Sequence, residues 1–300
     1  MTFQQLQYVV ALEETGNFTR AAQTCHVTQP TLSAQIKKLE NEWGAPLFDR
    51  SAHPIRPTPA GERVVAEARA ALARLGGLAE TMRLDRDEVG GTLEIGIIPT
   101  LAPYLLPRIL SAVRERLPRA RLHLREALTA EVADHVRRGR WDLGLVSTPT
   151  RLPGLVERPL YREAFKAYLP PGHALLSRNA VSVGALEEAG LLLLKEGHCF
   201  RDQVLALCSR DRAAPVAFES GSLDTLMRLV EAGHGVTLVP EGMVLELDED
   251  RRGGIRSVQG AEPERVIGTI VSPETPKAAL TAAFEQAVRD ALPSRWKILA

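Results

Sequence analysis

The stretch Val27-Thr28-Gln29-Pro30-Thr31-Leu32-Ser33-Ala34-Gln35-Ile36-Lys37-Lys38-Leu39-Glu40 reads as a helix with a single buried stripe. Thr28 is a good N-cap, Pro30 is tolerated in the first turn, and Leu32, Ile36 and Leu39 recur on one face. The outer N-terminal end carries Gln29, Thr31 and Ser33, side chains suited to base edges in a major groove, while Lys37 and Lys38 can meet phosphates. Upstream, Phe3, Leu6, Val9, Val10 and Leu12 repeat at helical spacing until Gly16-Asn17, and Thr19 can cap a second short helix from Arg20 to Thr24. Short helix, tight turn and second helix, in that order, describe a helix-turn-helix. Leu47-Phe48-Asp49-Arg50 and His53-Pro54-Ile55-Arg56-Pro57-Thr58 look like a small β-wing with basic tips. An ordinary three-helix domain with a solvated polar face is the competing reading. Charge does not separate the two, since Arg20, Lys37, Lys38, Arg50 and Arg56 outnumber Glu40, Glu42 and Asp49 by only two. The order of elements does.

Downstream, residues 59–89 form a long helical pattern rich in Ala, Arg and Glu. Val65, Ala68, Leu72, Leu75, Ala79 and Met82 are spaced 3-4-3-4-3, an a/d seam that predicts a dimer; the alternative is packing on its own domain. Gly76-Gly77 marks a bend in it, at about 1 kcal/mol per glycine, and Gly90-Gly91 reads as a hinge. From Thr92 onward strands and helices alternate: Leu93–Ile98 a strand, Leu101–Leu117 helical but broken early by prolines, Arg121–Arg125 a strand, Glu131–Arg138 a helix, Asp142–Val146 a buried strand. Val216–Glu219, the helix Leu223–Ala232 and Gly235–Pro240 follow. This is α/β with mostly parallel pairing expected, long enough for two subdomains and a cleft.

Composition narrows the class of protein. Basic and acidic residues balance at 37 each, so bulk charge indicates neither nucleic acid nor an acidic tail. The N-terminus has no basic n-region and no apolar run approaches membrane-spanning length, which predicts a soluble, cytoplasmic protein without membrane attachment. Three cysteines without regular spacing argue against a secreted disulfide framework and a zinc site; no metal and no cofactor are expected.

Two of those cysteines stand out, in Gly197-His198-Cys199-Phe200-Arg201-Asp202-Gln203-Val204-Leu205-Ala206-Leu207-Cys208. The intervening residues read as helix. Nine helical residues separate the two by about 13 Å and place them on opposite faces, whereas a disulfide needs Cα atoms within about 7 Å. The two thiols cannot bond while that helix stands; if they bond, it comes apart. Cys199 follows Gly197 at the helix N-terminus, where the dipole favours a thiolate, with Lys195, His198 and Arg201 close in sequence and the apolar run Leu191–Leu194, read as a strand, just before it. Inert core cysteines are the bland alternative, and the bland one is preferred for Cys25, inside the helix-turn-helix.

Phe18-Thr19-Arg20-Ala21-Ala22, Val27-Thr28-Gln29-Pro30-Thr31-Leu32-Ser33, Leu39-Glu40 and Leu47-Phe48-Asp49-Arg50 together resemble, in register, the DNA-binding domain of the LysR-type regulators. The resemblance implies that Gln29, Pro30, Thr31 and Ser33 face bases, with Thr28, Arg50 and Arg56 on the backbone of double-stranded DNA. It implies a winged helix-turn-helix over 1–58, a linker and dimerisation helix over 59–89, and a periplasmic-binding-protein-like α/β regulatory domain over 90–300. The two subdomains of that domain would be 90–163 with 266–300, and 164–265, the chain crossing near 161–165 and 264–268.

Within the family, Ile97-Ile98-Pro99-Thr100, Pro103-Tyr104-Leu105-Leu106-Pro107, the cysteine segment and Pro263-Glu264-Arg265 before Ile267-Gly268 narrow the resemblance to its hydrogen-peroxide sensors. These imply an activator that is not an enzyme: Cys199 peroxidatic, Cys208 resolving, Thr100, Thr129, His198 and Arg265 lining a peroxide pocket, Asp202 supporting it. They also imply a homotetramer that contacts RNA polymerase and a thiol-reducing system that resets it. On the residues alone, other roles stay open: Thr100 and Thr129 as helix caps, His198 as a capping or surface residue, Arg265 in a surface ion pair. The alternative function is a LysR-type regulator that answers to a small metabolite in its cleft, with structural cysteines.

Overall fold

The computed structural model describes residues 1–84, 90–208, 220–260, 262–294 and 296–299, with the side chains of 73, 76–84 and 297 outside that description. The chain divides into two compact units. The first comprises residues 1–88 with the short stretches 138–140 and 274–278; the second comprises 89–137, 141–273 and 279–300.

In the first unit, α1 (Phe3–Thr15) opens on a capping box: the Thr2 hydroxyl accepts from the Gln5 backbone N–H at 3.3 Å and the Gln5 side chain accepts from the Thr2 N–H at 2.8 Å. Gly16 ends it at φ +58. The next helix, α2 (Phe18–Thr24), is capped by Asn17, which accepts from the N–H groups of Thr19 and Arg20, and not by Thr19 as expected: an Asx side chain two residues upstream wins. Thr28 is the N-cap residue of α3 (Gln29–Trp43), but its hydroxyl pairs with that of Thr31 at 2.8 Å and makes no cap bond. The stripe Leu32, Ile36 and Leu39 is fully buried with Tyr8, Val9, Leu12, Ala21, Leu47 and Phe48. A two-stranded wing, β1 (Phe48–Asp49) and β2 (Arg56–Pro57), follows.

Through Gly76-Gly77, where a bend is expected, α4 (Pro59–Leu84) continues without a break. Val65, the first residue of the expected seam, is buried in the helix-turn-helix core, and Ala68 is buried too. A 3-4 spacing cannot tell an exposed seam from a stripe shared with the chain's own domain. Leu72 is half-buried and Leu75 is 47% exposed, while the side chains of Ala79 and Met82 lie outside the described residues.

The second unit is built on β3 (Gly91–Ile97), α5 (Ala102–Arg116), β4 (Ala120–Glu126), α6 (Thr129–Arg137), β5 (Leu143–Thr148), β6 (Val156–Tyr168), β7 (Ala180–Val181), α7 (Val183–Glu188), α8 (Cys199–Leu205), α9 (Leu223–Glu231), β8 (Thr237–Pro240), α10 (Glu241–Leu245), α11 (Glu249–Arg252), β9 (Ile255–Val258), β10 (Glu264–Val271), α12 (Ala278–Ala291) and β11 (Lys297–Ile298). The strands order as β4-β3-β5-β10-β6-β9-β7, with β8 and β11 also pairing on β6. Pairing is mixed, not mostly parallel. Strand β3 is parallel to β4 and β5, and β7 to β9; every pairing of β6 and β10 is antiparallel. The cause is β6, thirteen residues long, which pairs with β10 up to Ala164 and with β8 and β9 from Phe165 on, so that it crosses the sheet.

Other expectations are corrected locally. Helix α5 carries Pro103 in its first turn and Pro107 inside without breaking. Leu191–Leu194 makes only two isolated bridges, to Val236 and Ser220, and no strand. The strand expected at Val216–Glu219 lies outside the described residues.

Candidate functional site

The loop before α8 is tied down by the Lys195 N–H donating to the Ser220 carbonyl at 2.8 Å. Gly197 then turns the chain at φ +93, and a Cβ there would sit 3.0 Å from Leu128 Cδ1, so a side chain would be both strained and crowded. This brings the N-terminus of α8 against the segment leading into α6. His198 is the N-cap residue but makes no cap bond; it is 3% exposed and its Nε2 has no hydrogen-bond partner. Burial, aided by nearby Lys195, lowers its pKa and keeps the imidazole neutral at pH 7. Cys199, next in line, is half-buried against the core with its thiol free.

Arg265 forms the fixed part of the site. It stands opposite Glu163 on the paired strands β10 and β6, and both side chains are fully buried. Its Nε donates to Glu163 Oε1 at 2.8 Å, Nη1 to Thr100 Oγ1 at 3.0 Å, and Nη2 to the Thr100 carbonyl at 3.1 Å and Tyr104 OH at 3.2 Å. Four of the five guanidinium N–H groups are thereby held, and one on Nη1 remains. The Tyr104 hydroxyl donates in turn to Glu163 Oε1 at 2.5 Å, and the Gly242 N–H donates to Oε2 at 3.2 Å. The guanidinium lies over the Phe200 ring at 5.1 Å, and Phe200 packs edge-on to Phe165. Burial opposes the charge on Arg265, but Glu163, then Tyr104 and Cys199, outweigh it and push the guanidinium pKa up. Phe200, over whose ring the guanidinium lies, is the residue that follows Cys199.

The expected site residues divide clearly. Thr100 and Arg265 are joined directly, so neither the cap reading of Thr100 nor the surface ion-pair reading of Arg265 survives. Thr129 opens α6, and its hydroxyl is buried without a partner rather than capping the helix. Asp202 is exposed on α8 and makes no hydrogen bond to this cluster: one helical position away from the buried face, it points to solvent, and its supporting role is not seen. Glu163, Tyr104, Phe200 and Gln203 were not assigned from sequence. Gln203 donates from Nε2 to the Ser147 hydroxyl at 2.8 Å while its Oε1, also buried, has no partner. Tyr161-Arg162-Glu163-Ala164-Phe165 carries two adjacent charges, and nothing in the sequence marks Glu163 as the buried one.

Cys208 does not end a helix, as expected; α8 stops at Leu205 and the chain turns through Ala206 and Leu207. Burial, with the Glu187 carboxylate beside it, raises the Cys208 thiol to about 11. Cys25 closes α2 as its C-cap residue, half-buried against the helix-turn-helix core, and burial with nearby Glu14 raises its thiol pKa. On the recognition helix, Thr28, Gln29, Pro30, Thr31 and Lys37 are exposed and Ser33 is half-buried; Arg56 is exposed on the wing. Arg50 is engaged within its own domain, with Glu40 at 2.9 Å and over the Phe18 ring at 5.1 Å.

Residues 3–62 match the bacterial regulatory helix-turn-helix protein family of lysR type, and residues 86–293 match the LysR substrate binding domain. The chain belongs to the LysR family. Among its LysR relatives, a probable hydrogen peroxide-inducible genes activator of Streptomyces viridosporus is 38% identical, covering 97% of this chain and 95% of the relative. The DNA-binding transcriptional dual regulator OxyR of Escherichia coli strain K12 is 35% identical, covering 96% and 95%. A full-length OxyR variant from Pseudomonas aeruginosa superposes with a TM-score of 0.85 at 32% identity, covering 96% of this chain and 95% of that one. As in any LysR protein, the N-terminal unit reads DNA and the rest of the chain decides when. Among the described residues no helix is long and apolar enough to cross a membrane.

Proposed function

We propose that this LysR regulator is a transcriptional activator switched by hydrogen peroxide through a reversible Cys199–Cys208 disulfide. The observation that carries the reading is the setting of Cys199: a half-buried thiol whose neighbour Phe200 lies under the buried, fixed guanidinium of Arg265, at the start of a helix flanked by the unpartnered polar atoms His198 Nε2 and Gln203 Oε1. Relatives named as peroxide-inducible gene activators support the same reading. The Cys199 thiolate attacks one peroxide oxygen; the S–O bond forms, the O–O bond breaks, and hydroxide leaves and takes a proton to become water. The thiol is oxidised to sulfenic acid and the peroxide is reduced. Developing negative charge on the departing oxygen needs fixed donors, which Arg265, Thr100 and Thr129 supply, and peroxide O–H groups need acceptors, such as neutral His198. Attack by Cys208 on the sulfenic sulfur then forms the disulfide and expels a second water.

The remaining parts follow from that reading. Residues 1–58 bind double-stranded DNA, with Gln29, Pro30, Thr31 and Ser33 toward bases and Thr28, Lys37 and Arg56 toward the backbone. Residues 59–89 link and dimerise, Leu72 and Leu75 being the seam positions left at least partly uncovered. Residues 90–300 carry the switch, divided into 90–163 with 266–300 and 164–265. The protein acts in the cytoplasm as a homotetramer of two such dimers, engages RNA polymerase when oxidised, and is reset by a dithiol reductant. Peptide mass mapping of non-reduced protein after brief, near-stoichiometric peroxide tests the reading. A Cys199–Cys208 link that a dithiol reverses is expected; two free thiols at that dose overturn it.

A further inference from the structure

Among the partners of Arg265 is a carboxylate with three hydrogen bonds, none of them to a thiol. Glu163 stands across from Arg265 on the facing strand, so the register itself places them together. One carboxylate oxygen accepts from Arg265 Nε at 2.8 Å and Tyr104 OH at 2.5 Å, and the other accepts from the Gly242 N–H at 3.2 Å. That last contact needs a glycine. A Cβ at position 242 would come within 2.1 Å of the Tyr104 ring, so any side chain there would push α10 off the carboxylate. Three elements, α5, α10 and β10, thus converge on one buried carboxylate whose own strand, β6, crosses the sheet. Its anchored oxygens set the plane and the direction of the guanidinium, because an arginine fork bonded through Nε to a fixed acceptor has little rotational freedom left. The remaining edge is aimed at Thr100, and the remaining face at Phe200, the residue that follows Cys199.

We propose that Glu163 is a positioning residue for the thiol chemistry of Cys199, holding the Arg265 guanidinium in the pose from which it meets the thiolate and the departing peroxide oxygen. The inference rests on the peroxide reading above. Glu163 neither touches peroxide nor moves a proton. Its work is geometric, and the geometry is lost when the carboxylate is.

Glu163→Gln in the full chain tests it, since the amide keeps the shape but not the charge that holds a buried guanidinium. Two rates are measured on Cys199 in wild type and variant: oxidation by hydrogen peroxide, trapped with a sulfenic-acid reagent, and alkylation by iodoacetamide followed to its high-pH plateau. Alkylation needs the thiolate but no donors for a leaving oxygen. Loss of positioning is expected to slow the peroxide reaction about tenfold or more while the alkylation plateau stays at the wild-type value. A purely structural role would instead move both rates together or neither, and either result overturns the inference. Tyr104→Phe keeps the ion pair but removes one donor to Glu163 and one acceptor from Arg265; it is expected to shift the ratio the same way by less, and it decides the question if Glu163→Gln fails to fold. A wild-type Cys199 no faster with peroxide than free cysteine would sink the underlying reading, whereas wild-type rates in both variants sink this inference alone.

Discussion

The Cys208 thiol donates to the Val204 carbonyl, 3.3 Å away, inside the turn that ends α8. Cys208 is therefore fastened to the same helix whose first residue is Cys199. The disulfide proposed above would require Cys208 to give up the Val204 carbonyl, so one contact of the thiol form is lost when the two sulfurs join.

From this follows a pH signature of the reduced fold. Burial, with the Glu187 carboxylate, holds the Cys208 thiol at about 11 in the folded chain, above the value of roughly 8.5 for an unperturbed cysteine. The folded state thus keeps its proton longer than the unfolded state does. Stability from this group is fully present below the unfolded pKa and is lost as pH rises toward about 11. Urea melts of reduced wild type and Cys208→Ser between neutral and strongly alkaline pH should show an extra alkaline loss in the wild type. Alkylation of Cys208 at pH 8 should also be far slower in the folded chain than in urea. Equal alkylation rates in the two states would remove the protected thiol from the picture.

Thr129 offers a separation of stability from function. Its hydroxyl is buried without a partner, a situation that costs roughly 1–3 kcal/mol. Thr129→Val keeps the β-branched shape and deletes the unsatisfied group. The variant should melt at or above the wild-type temperature while Cys199 reacts with peroxide about tenfold or more slowly, since a positioned donor is gone. A variant that is less stable and equally reactive would assign Thr129 to the scaffold.

What could be read from sequence, and what could not, divides along one physical line. Leu32, Ile36 and Leu39 are local periodicity, and the chain buries them as that pattern dictates, although the expected Thr28 cap bond does not form. Thr100 and Arg265 were named from resemblance, but the ion pair that fixes Arg265 was not. It depends on β6 and β10 lying antiparallel, a pairing between residues 102 apart in the chain. Glu163 was invisible for the same reason. Asp202 lies on the exposed side of α8, away from buried Phe200 and Val204, which sequence adjacency to Cys199 could not show. Val65 shows the remaining ambiguity, because a heptad spacing reads identically whether the stripe meets a second chain or the first core.

His198 should stay uncharged where an ordinary histidine begins to protonate. Burial, then the charge of Lys195, depresses its pKa, so the folded chain binds its proton only below the usual value of about 6.5. The stability this group contributes is present above the unfolded pKa and is lost as pH falls through the folded one. Imidazole resonances followed by NMR through mildly acid pH, assigned with His198→Gln, should show His198 titrating below the ordinary histidine value. A midpoint at or above about 6.5 would mean that burial does not hold the imidazole neutral.

The recognition helix makes the final distinction, between reading bases and holding phosphate. Gln29 and Lys37 are both exposed on α3, whereas Arg50 is already paired with Glu40 and laid over Phe18. An exposed amide at the helix N-terminus can make paired hydrogen bonds to a base edge, and Gln29→Ala should cost about 1–3 kcal/mol on the operator and flatten discrimination at one position. Lys37→Ala should weaken operator and unrelated duplex alike and reduce the salt slope by about 1. Arg50→Ala should lower the melting temperature of the helix-turn-helix and leave the salt slope closer to wild type than Lys37→Ala does, because its charge is satisfied inside the domain. Titrations of each variant against both duplexes over a range of salt separate the three roles. An Arg50→Ala slope as shallow as that of Lys37→Ala would show that Glu40 releases the guanidinium to the DNA.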